Sequence, residues 1–461
     1  MSSQKTLYEY MKKETQSETN QQPDPHYEIL EFYRETEFQE TPIGKIPRDW
    51  KFIELAHLAQ IIMGQSPPSS TYNREGVGMP FLQGKMEFGR IYPFPVMYTI
   101  QPLKIAEPND VLISVRAPVG DVNIAPCRLC IGRGLAAIRF NPEVADYMFY
   151  FYYFQLIKKR LEVLGKGSTF KAITKKDLER LKVVQPSVNE QRKIAEILST
   201  VDRAIESIDR NITKLERLKK ALMNELLTGR VRVREENGKL IFYRETEFQE
   251  TPIGKIPRDW KVVKLKGVGK IVSGFTFPLE FQGKISGKYP FIKVKDMNNS
   301  YKYIHVAENY VDDEDLVKLK ARPYPRNTII FPKIGMAVRL NKYRILGREA
   351  LFDNNIDGII VDDRLAYHEF IYYYLQARVN LISLAGMTTV PSISKSKLEN
   401  IPLPLPSINE QKSIAEILST VDRAIELHHK KKELLERLKK GLMDLLLTGK
   451  IRVKVKNDNV R

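Results

Sequence analysis

The stretch Ile194-Ala-Glu-Ile-Leu-Ser-Thr-Val-Asp-Arg-Ala-Ile-Glu206 lies in a run from Asn189 to Leu227 that contains neither glycine nor proline. Within that run Ile194, Leu198, Val201, Ile205, Ile208, Ile212, Leu215, Lys219, Leu222 and Leu226 step alternately by four and three residues, and only Lys219 is polar. This is the seam of a coiled coil, narrower than the stripe of a helix that covers a globular core. Pro186-Ser187 supplies a start and Thr228-Gly229 a stop. At 1.5 Å per residue such a helix is a rod of roughly 58 Å.

The same stretch recurs unchanged from Ile414 to Glu426, an offset of 220, inside a second run from Asn409 to Leu447. There Ile414, Leu418, Val421 and Ile425 keep phase, the pattern breaks at His428 and Lys432, and Leu435, Leu442 and Leu446 resume it. His428 and His429 read as an irregularity of the seam and not as ligands. A second duplication lies upstream of each rod. Phe32-Tyr-Arg-Glu-Thr-Glu-Phe-Gln-Glu-Thr-Pro-Ile-Gly-Lys-Ile-Pro-Arg-Asp-Trp-Lys51 returns from Phe242 to Lys261 at an offset of 210. The two offsets differ by ten, so a length change separates the markers. Tyr147 aligns with Tyr367, and Tyr152-Tyr153 with Tyr372-Tyr373, already at 220, which places the change early in the intervening block.

A two-fold pseudo-symmetric chain follows, each half holding a lead-in segment, a divergent block and a long helix. The expected fold is α+β: two mixed α/β recognition domains separated by two long helices that form an intramolecular antiparallel coiled coil. The expected boundaries are a flexible tail at 1–31, a first domain at 32–187, a first spacer helix at 188–230, a second domain at 231–407, and a second spacer helix with a basic tail at 408–461. A coiled coil between two copies of the chain is the competing arrangement.

Short β-rich runs (Val111–Val115, Leu135–Ile138, Thr328–Phe331 and Gly358–Val361) alternate with Gly, Pro and Asn turns in the divergent blocks. Tyr147–Phe154 and its copy Tyr367–Tyr374 are aromatic enough to stack bases, but their equivalent placement favours a packed core helix.

Charge gives the first functional indication. The 461 residues carry 74 Lys and Arg against 56 Asp and Glu, a net charge of +18. The blocks 52–187 (17 basic, 11 acidic, net +6) and 262–407 (21 basic, 14 acidic, net +7) share that excess. A polyanion is the implied partner, nucleic acid first. No apolar run approaches a membrane span and the amino-terminal stretch is polar, so a soluble cytoplasmic protein is expected. Cys127 and Cys130 are the only cysteines. Their spacing lacks the second pair of ligands that a structural zinc site needs, so no metal is assigned.

Catalytic motifs are missing where they would be sought. No Gly-x-Gly-x-x-Gly follows a strand, Gly165-Lys-Gly-Ser-Thr169 lacks the order of a phosphate loop, and no Ser or Cys nucleophile has an evident His partner. The chain reads as a binding protein. Its polar loops, Met63–Asn73, Gln83–Glu87, Ser114–Gly120 and Gly165–Lys171 in one block and Ile292–Asn298, Pro332–Arg344 and Phe352–Ile356 in the other, carry side chains suited to base edges and phosphates.

Taken together, the duplicated Thr41-Pro-Ile-Gly-Lys-Ile-Pro-Arg-Asp-Trp50 segment, the Met63-Gly-Gln-Ser-Pro-Pro loop, the helix starts Pro186-Ser-Val-Asn-Glu-Gln191 and Pro406-Ser-Ile-Asn-Glu-Gln411, and the Leu-Leu-Thr-Gly ends at 226–229 and 446–449 are specific. They resemble the specificity subunits of type I DNA restriction-modification systems, over nearly the whole chain after about residue 32. The resemblance implies a non-catalytic subunit that reads a bipartite, asymmetric double-stranded DNA target. It also implies docking of two methyltransferase subunits and of restriction motor subunits, which would hold the S-adenosylmethionine, ATP and Mg; none of these cofactors is expected in this chain. Lys85, Arg116, Arg133, Lys166 and Lys171 are expected to face DNA in the first reader, and Lys293, Lys295, Lys333, Arg339, Lys342 and Arg344 in the second. A stand-alone homodimeric coiled-coil regulator is the alternative, and an enzyme with an unrecognised motif a third reading.

Overall fold

The computed structural model describes residues 31–164, 172–385 and 391–454. Tail residues 1–30 and the Gly165–Lys171 loop with Lys166 and Lys171 lie outside the described residues. Four helices organise the chain: α1 (Tyr147–Leu156), α2 (Val188–Leu226), α3 (His368–Arg378) and α4 (Ile408–Leu446). α2 and α4 are each 39 residues long.

Two compact units emerge, one made of residues up to Ile205 with those from Leu434 onward, the other of Glu206–Glu433. Their borders fall inside both long helices. Each unit therefore owns the start of one rod and the end of the other. In the first unit Ile194 and Leu198 pack with Leu442 and Leu446, and Lys439 Nζ lies 2.8 Å from Asp202 Oδ2. In the second, Leu222, Met223 and Leu226 pack with Ile414 and Leu418, while Lys219 reaches Asp422 at 2.8 Å and Lys432 reaches Asp209 at 2.6 Å. Early residues of one helix meet late residues of the other, so the pairing inside each unit is antiparallel. Ile205, Ile208, Ile212, Val421 and Ile425 are buried, and Val201, Leu215 and Leu435 half-buried. Lys219 and Lys432 interrupt the apolar pattern because each answers a carboxylate across the seam. His428 is half-buried with Nδ1 unbonded, and His429 is exposed.

Each unit has a frame built from the repeated segments. In the second, Val231–Glu236 and Lys239–Arg244 form an antiparallel hairpin across Asn237-Gly238, whose positive φ values of 52° and 72° suit a tight two-residue turn. In the first, the same ladder is made by Phe32–Arg34 and Ile451–Val453, from opposite ends of the chain. The buried guanidinium of Arg232 binds Glu410, Asp259 and Glu245. Arg452 binds Glu190, Asp49 and Glu35 in the same way. Above the guanidiniums lie Trp260 and Trp50, with both centroids 5.5 Å away, and the indole nitrogens donate to Glu410 and Glu190. Burial pushes both guanidiniums toward losing their proton, but the hydrogen bonds to Glu410 and Glu190 outweigh it and raise both pKa values. The Thr-Gly stops have a steric reason. Gly449 adopts φ +70°, and a Cβ there would sit 2.3 Å from Pro47 Cγ; the left-handed turn and the missing side chain seat the rod's end against the lead-in hairpin.

The heads are α+β. In the first unit a four-stranded antiparallel sheet runs Val122–Ile124, Val111–Ser114, Leu135–Phe140, Ala59–Met63, beside a five-stranded sheet that centres on parallel Met79–Leu82 and Leu129–Ile131. In the second, Gly269–Ser273, Ile356–Val361, Ile329–Pro332, Arg344–Leu346 and Tyr303–Ile304 form five strands, and Asn309–Val311, Tyr289–Ile292 and Leu351–Phe352 form three. α1 and α3 are core helices: Phe149–Phe154 and Phe370–Leu375 are buried.

The alignment of these helices needs correcting. Asp146 N donates to Gln191 Oε1 as Tyr367 N donates to Gln411 Oε1, and Tyr152 bonds Asp202 as Tyr373 bonds Asp422. Asp146 is thus the counterpart of Tyr367, at offset 221. Equivalent backbone bonds give 210 at Leu82/Ile292, 218 at Val115/Lys333, 221 at Ile131/Phe352 and 220 at Leu181/Ile401. The second block gains eleven residues in loops and gives one back after the aromatic helix. Runs of aromatic residues had hidden that slip.

Candidate nucleic-acid interface

In the first head, four strands end or begin at one edge of the two sheets: Ala59–Met63, Met79–Leu82, Val111–Ser114 and Leu135–Phe140. Their loops are cross-tied there. Gly64 N donates to Leu135 O and Gln65 N to Ile131 O, both at 2.9 Å, Gly132 N to Leu82 O at 2.8 Å, and Val115 N to Gly134 O at 2.9 Å. Arg133 N donates to Ser66 Oγ at 3.2 Å. The loops approach so closely that a Cβ on Gly64 would lie 2.2 Å from Gly132 O. Gln65, Gln83, Arg116 and Arg133 are exposed around this edge. No side-chain hydrogen bond or ion pair engages them among the described residues, so they form a set of free donors and acceptors on a stiff base.

The second head repeats the ties with different side chains. Gly274 N donates to Ile356 O, Phe275 N to Phe352 O, Asp353 N to Ile292 O and Lys333 N to Asn355 O. Phe275 stacks on Tyr324, which in turn stacks on Phe352. Lys293 Nζ donates to Gln282 Oε1 at 2.6 Å and lies over the Phe277 ring. Asp353 accepts from Asn355 N at 3.0 Å, and burial holds its carboxyl above the ordinary aspartate range. Thr276 and Asn354 are exposed and free of such bonds among the described residues.

The eleven expected DNA-facing residues divide accordingly. Among the described residues Arg116 and Arg133 have no side-chain partner at the first edge, and Arg339 is exposed and unpaired in the second head, on the short helix Met336–Leu340. Lys85 shares Asp121 with Lys158, and burial of that carboxylate is outweighed by the two lysines, which hold its pKa low. Lys295 is paired with Glu308, and Lys333 with the buried Asp357 at 2.8 Å. Lys342 donates to Asn298. The half-buried Arg344 donates to Ser300 O at 2.8 Å and Tyr343 O at 2.7 Å. Its guanidinium is thus committed to the head's own backbone. Lys166 and Lys171 lie outside the described residues.

Two residues missed in the sequence tie each head to the long helices of its own unit. Arg90 Nη1 lies 3.4 Å from Asp202 on α2, and Nη2 3.6 Å from Glu436 on α4. In the second unit the buried Lys302 reaches Glu369 at 2.9 Å, Tyr373 Oη at 3.0 Å and Ser419 Oγ on α4 at 2.6 Å. Burial lowers the pKa of Lys302, partly offset by Glu369. Neither residue sits in a motif; a lone basic residue amid tyrosines and small polar groups carries no pattern that marks it.

Residues 47–217 and 257–437 each match the profile of the type I restriction modification DNA specificity domain. The chain belongs to this specificity family. The duplicated match covers both heads and most of both rods. Among specificity-family relatives, a putative type I restriction enzyme MjaX specificity subunit from Methanocaldococcus jannaschii is 56% identical over 199 residues, 43% of this chain and 47% of that protein. The MjaVIII specificity subunit of the same organism is 27% identical over 433 residues, covering 92% of this chain and 98% of its own. The crystal structure of the type I S subunit from M. genitalium superimposes with TM-score 0.58 at 17% identity, over 86% of this chain and 96% of that one, so the specificity-family fold is shared. Among the described residues no helix is long and apolar enough to cross a membrane.

Proposed function

We propose that this chain is the DNA-recognition subunit of a type I restriction-modification assembly, with each head reading one half of a bipartite, asymmetric duplex target. As a member of the specificity family it selects the sequence and leaves the chemistry to its partners. The observation that carries the reading is the contrast within the duplication. Repeated frames support two heads of one fold whose tied loop edges present different side chains. Such a molecule keeps its docking surfaces while it changes what it reads.

The paired rods act as the spacer. A 39-residue helix spans about 58 Å, longer than one DNA turn of about 34 Å. The repeated frames dock two methyltransferase subunits, to which motor-endonuclease subunits attach, in the cytoplasm. S-adenosylmethionine, ATP and Mg belong to those partners. The net charge of +18 supplies the salt-dependent phosphate attraction, and free loop side chains such as Arg116 and Arg133 supply discrimination.

Selection from a randomised duplex pool by the full-length chain tests this directly. A motif of two unlike half-sites at fixed separation supports the proposal. One continuous palindrome, with a dimeric mass in solution, would instead identify a homodimeric regulator.

A further inference from the structure

Arg133 and Asn354 occupy the same place in the two heads. Each follows a residue whose backbone N–H is tied to the end of a neighbouring strand, Gly132 to Leu82 O and Asp353 to Ile292 O. Each precedes a carbonyl tied to the strand that leaves the central sheet, Gly134 O to Val115 N and Asn355 O to Lys333 N. The residue between is thus clamped on both sides within the cross-tied loops. Both side chains are exposed, and neither makes a hydrogen bond or ion pair among the described residues. In the second head Asn355 donates to Asp353 Oδ2 at 3.4 Å, which leaves Asn354 as the free amide of the pair.

We propose that this position reads a base in each head, guanine by Arg133 and adenine by Asn354. The inference rests on the DNA-recognition reading above and adds what is recognised. The fork of Arg matches guanine O6 and N7, and the amide of Asn matches adenine N6 and N7. A phosphate contact explains the pair less well. A phosphate accepts from Asn as well as from Arg, but it draws most of its binding from positive charge, which the exchange of Arg for Asn at one backbone position gives up, whereas base reading uses either side chain in a bidentate way. It also tolerates a mobile tether, whereas a clamped Cα is what a two-point contact to a base edge requires.

The surroundings agree with the assignment. Among the described residues Gln65, Gln83 and Arg116 have no side-chain partner around Arg133, so the first head offers several further polar readers. Around Asn354 the corresponding places hold Phe275, Lys293 and Ile334, of which the phenyl ring is stacked and the lysine is bonded. The second head therefore leans on Asn354 more heavily than the first leans on Arg133.

The test is enrichment from a randomised duplex pool by full-length wild-type chain, R133A and N354A at one fixed salt concentration. The wild type is expected to enrich two half-sites, one with an invariant guanine and the other with an invariant adenine. R133A should flatten the guanine column alone by about tenfold, and N354A the adenine column alone by at least as much. The untouched half-site serves as the folding control in each variant. Columns that keep their base in the variants, or enrichment that falls uniformly over all sequences, would overturn this inference while the two-headed reading stands. A wild-type pool with no bipartite motif would overturn both.

Discussion

The two frames are chemically alike and topologically different. Around Arg232, strand and counter-strand are joined by Asn237-Gly238, and all partners but Glu410 lie within 27 residues. Around Arg452 the same partners lie 262, 403 and 417 residues away along the chain, and the ladder joins its two ends. One geometry from two connectivities teaches that the side-chain set, and not the local turn, defines the frame. The hairpin lowers the loop-closure entropy of the second unit. The first must bring distant segments together, at a cost that grows only slowly with separation.

The largest expected effect on the two frames comes from removing each guanidinium. R452A leaves Glu190 buried without its cation beneath Trp50, and R232A does the same to Glu410 beneath Trp260. Each should cost its own unit about 3 to 5 kcal/mol, since removing one partner of a buried pair strands the other. The protein has two tryptophans, one in each frame, so W50F and W260F backgrounds report each unit separately in urea titrations. The difference should appear in hydrogen exchange. R452A is expected to expose Phe32–Arg34 and Ile451–Val453, whereas in R232A the hairpin retains protection. Equal loss in both ladders would show that the connecting turn adds nothing.

A smaller effect sharpens the contrast between the heads. Lys302 and Glu369 are 7% and 11% exposed, and K302M would leave that carboxylate inside the protein with Ser419 and Tyr303 as donors. The expected cost to the second unit is about 3 kcal/mol, with K302M/E369Q recovering a good part of it. Arg90 is 27% exposed, and Asp202 keeps Lys439 and Tyr152 when it is lost. R90A should therefore cost the first unit no more than about 1 kcal/mol. A larger loss for R90A than for K302M in the same urea titrations would reverse the assignment of the tighter junction.

Heptad spacing made the long helices legible, because burial writes a regular pattern along a helix, while exact duplication exposed the frames and equivalent placement marked the core aromatic helices. None of this could show that the rods are divided between the units. Nor could it foresee that residues at 451–453 complete a ladder begun at 32–34, since pairing between chain ends leaves no local signal. In the candidate interface, Arg116 was readable as a basic residue of a polar loop, whereas Arg133 was named for its charge and lay in none of the loops singled out. That Lys333 and Arg344 are spoken for by Asp357 and by backbone carbonyls was not readable, because a charge looks the same in sequence whether or not the fold has matched it. Asn354 lay in a loop singled out for its polarity but bears no charge, and its backbone equivalence to Arg133 and the bonds of Asn355 to Asp353 distinguish it from that neighbour.

The mildest prediction tests whether the frames are equal in strength. Hydrogen bonds from Arg452 to Asp49 and from Arg232 to Asp259 hold both carboxyls below the usual aspartate range. Glu35 and Glu245 are likewise lowered: burial pushes Glu35 upward, but backbone donors at Glu37 and Thr36 and the guanidinium prevail, and in Glu245 the Glu247 N–H leads the same set. A carboxylate with a depressed folded pKa contributes stability that is complete above its unfolded value and lost as pH falls through the folded one. Both units should therefore hold their stability down to about pH 5 and lose it progressively below about pH 4. Because the four carboxylates match pair for pair, the acid midpoints read from the W260F and W50F proteins should nearly coincide. A first unit that unfolds at clearly higher pH would mean that its ladder between chain ends depends on these charges more than the hairpin does, and would turn the difference in connectivity into one of strength.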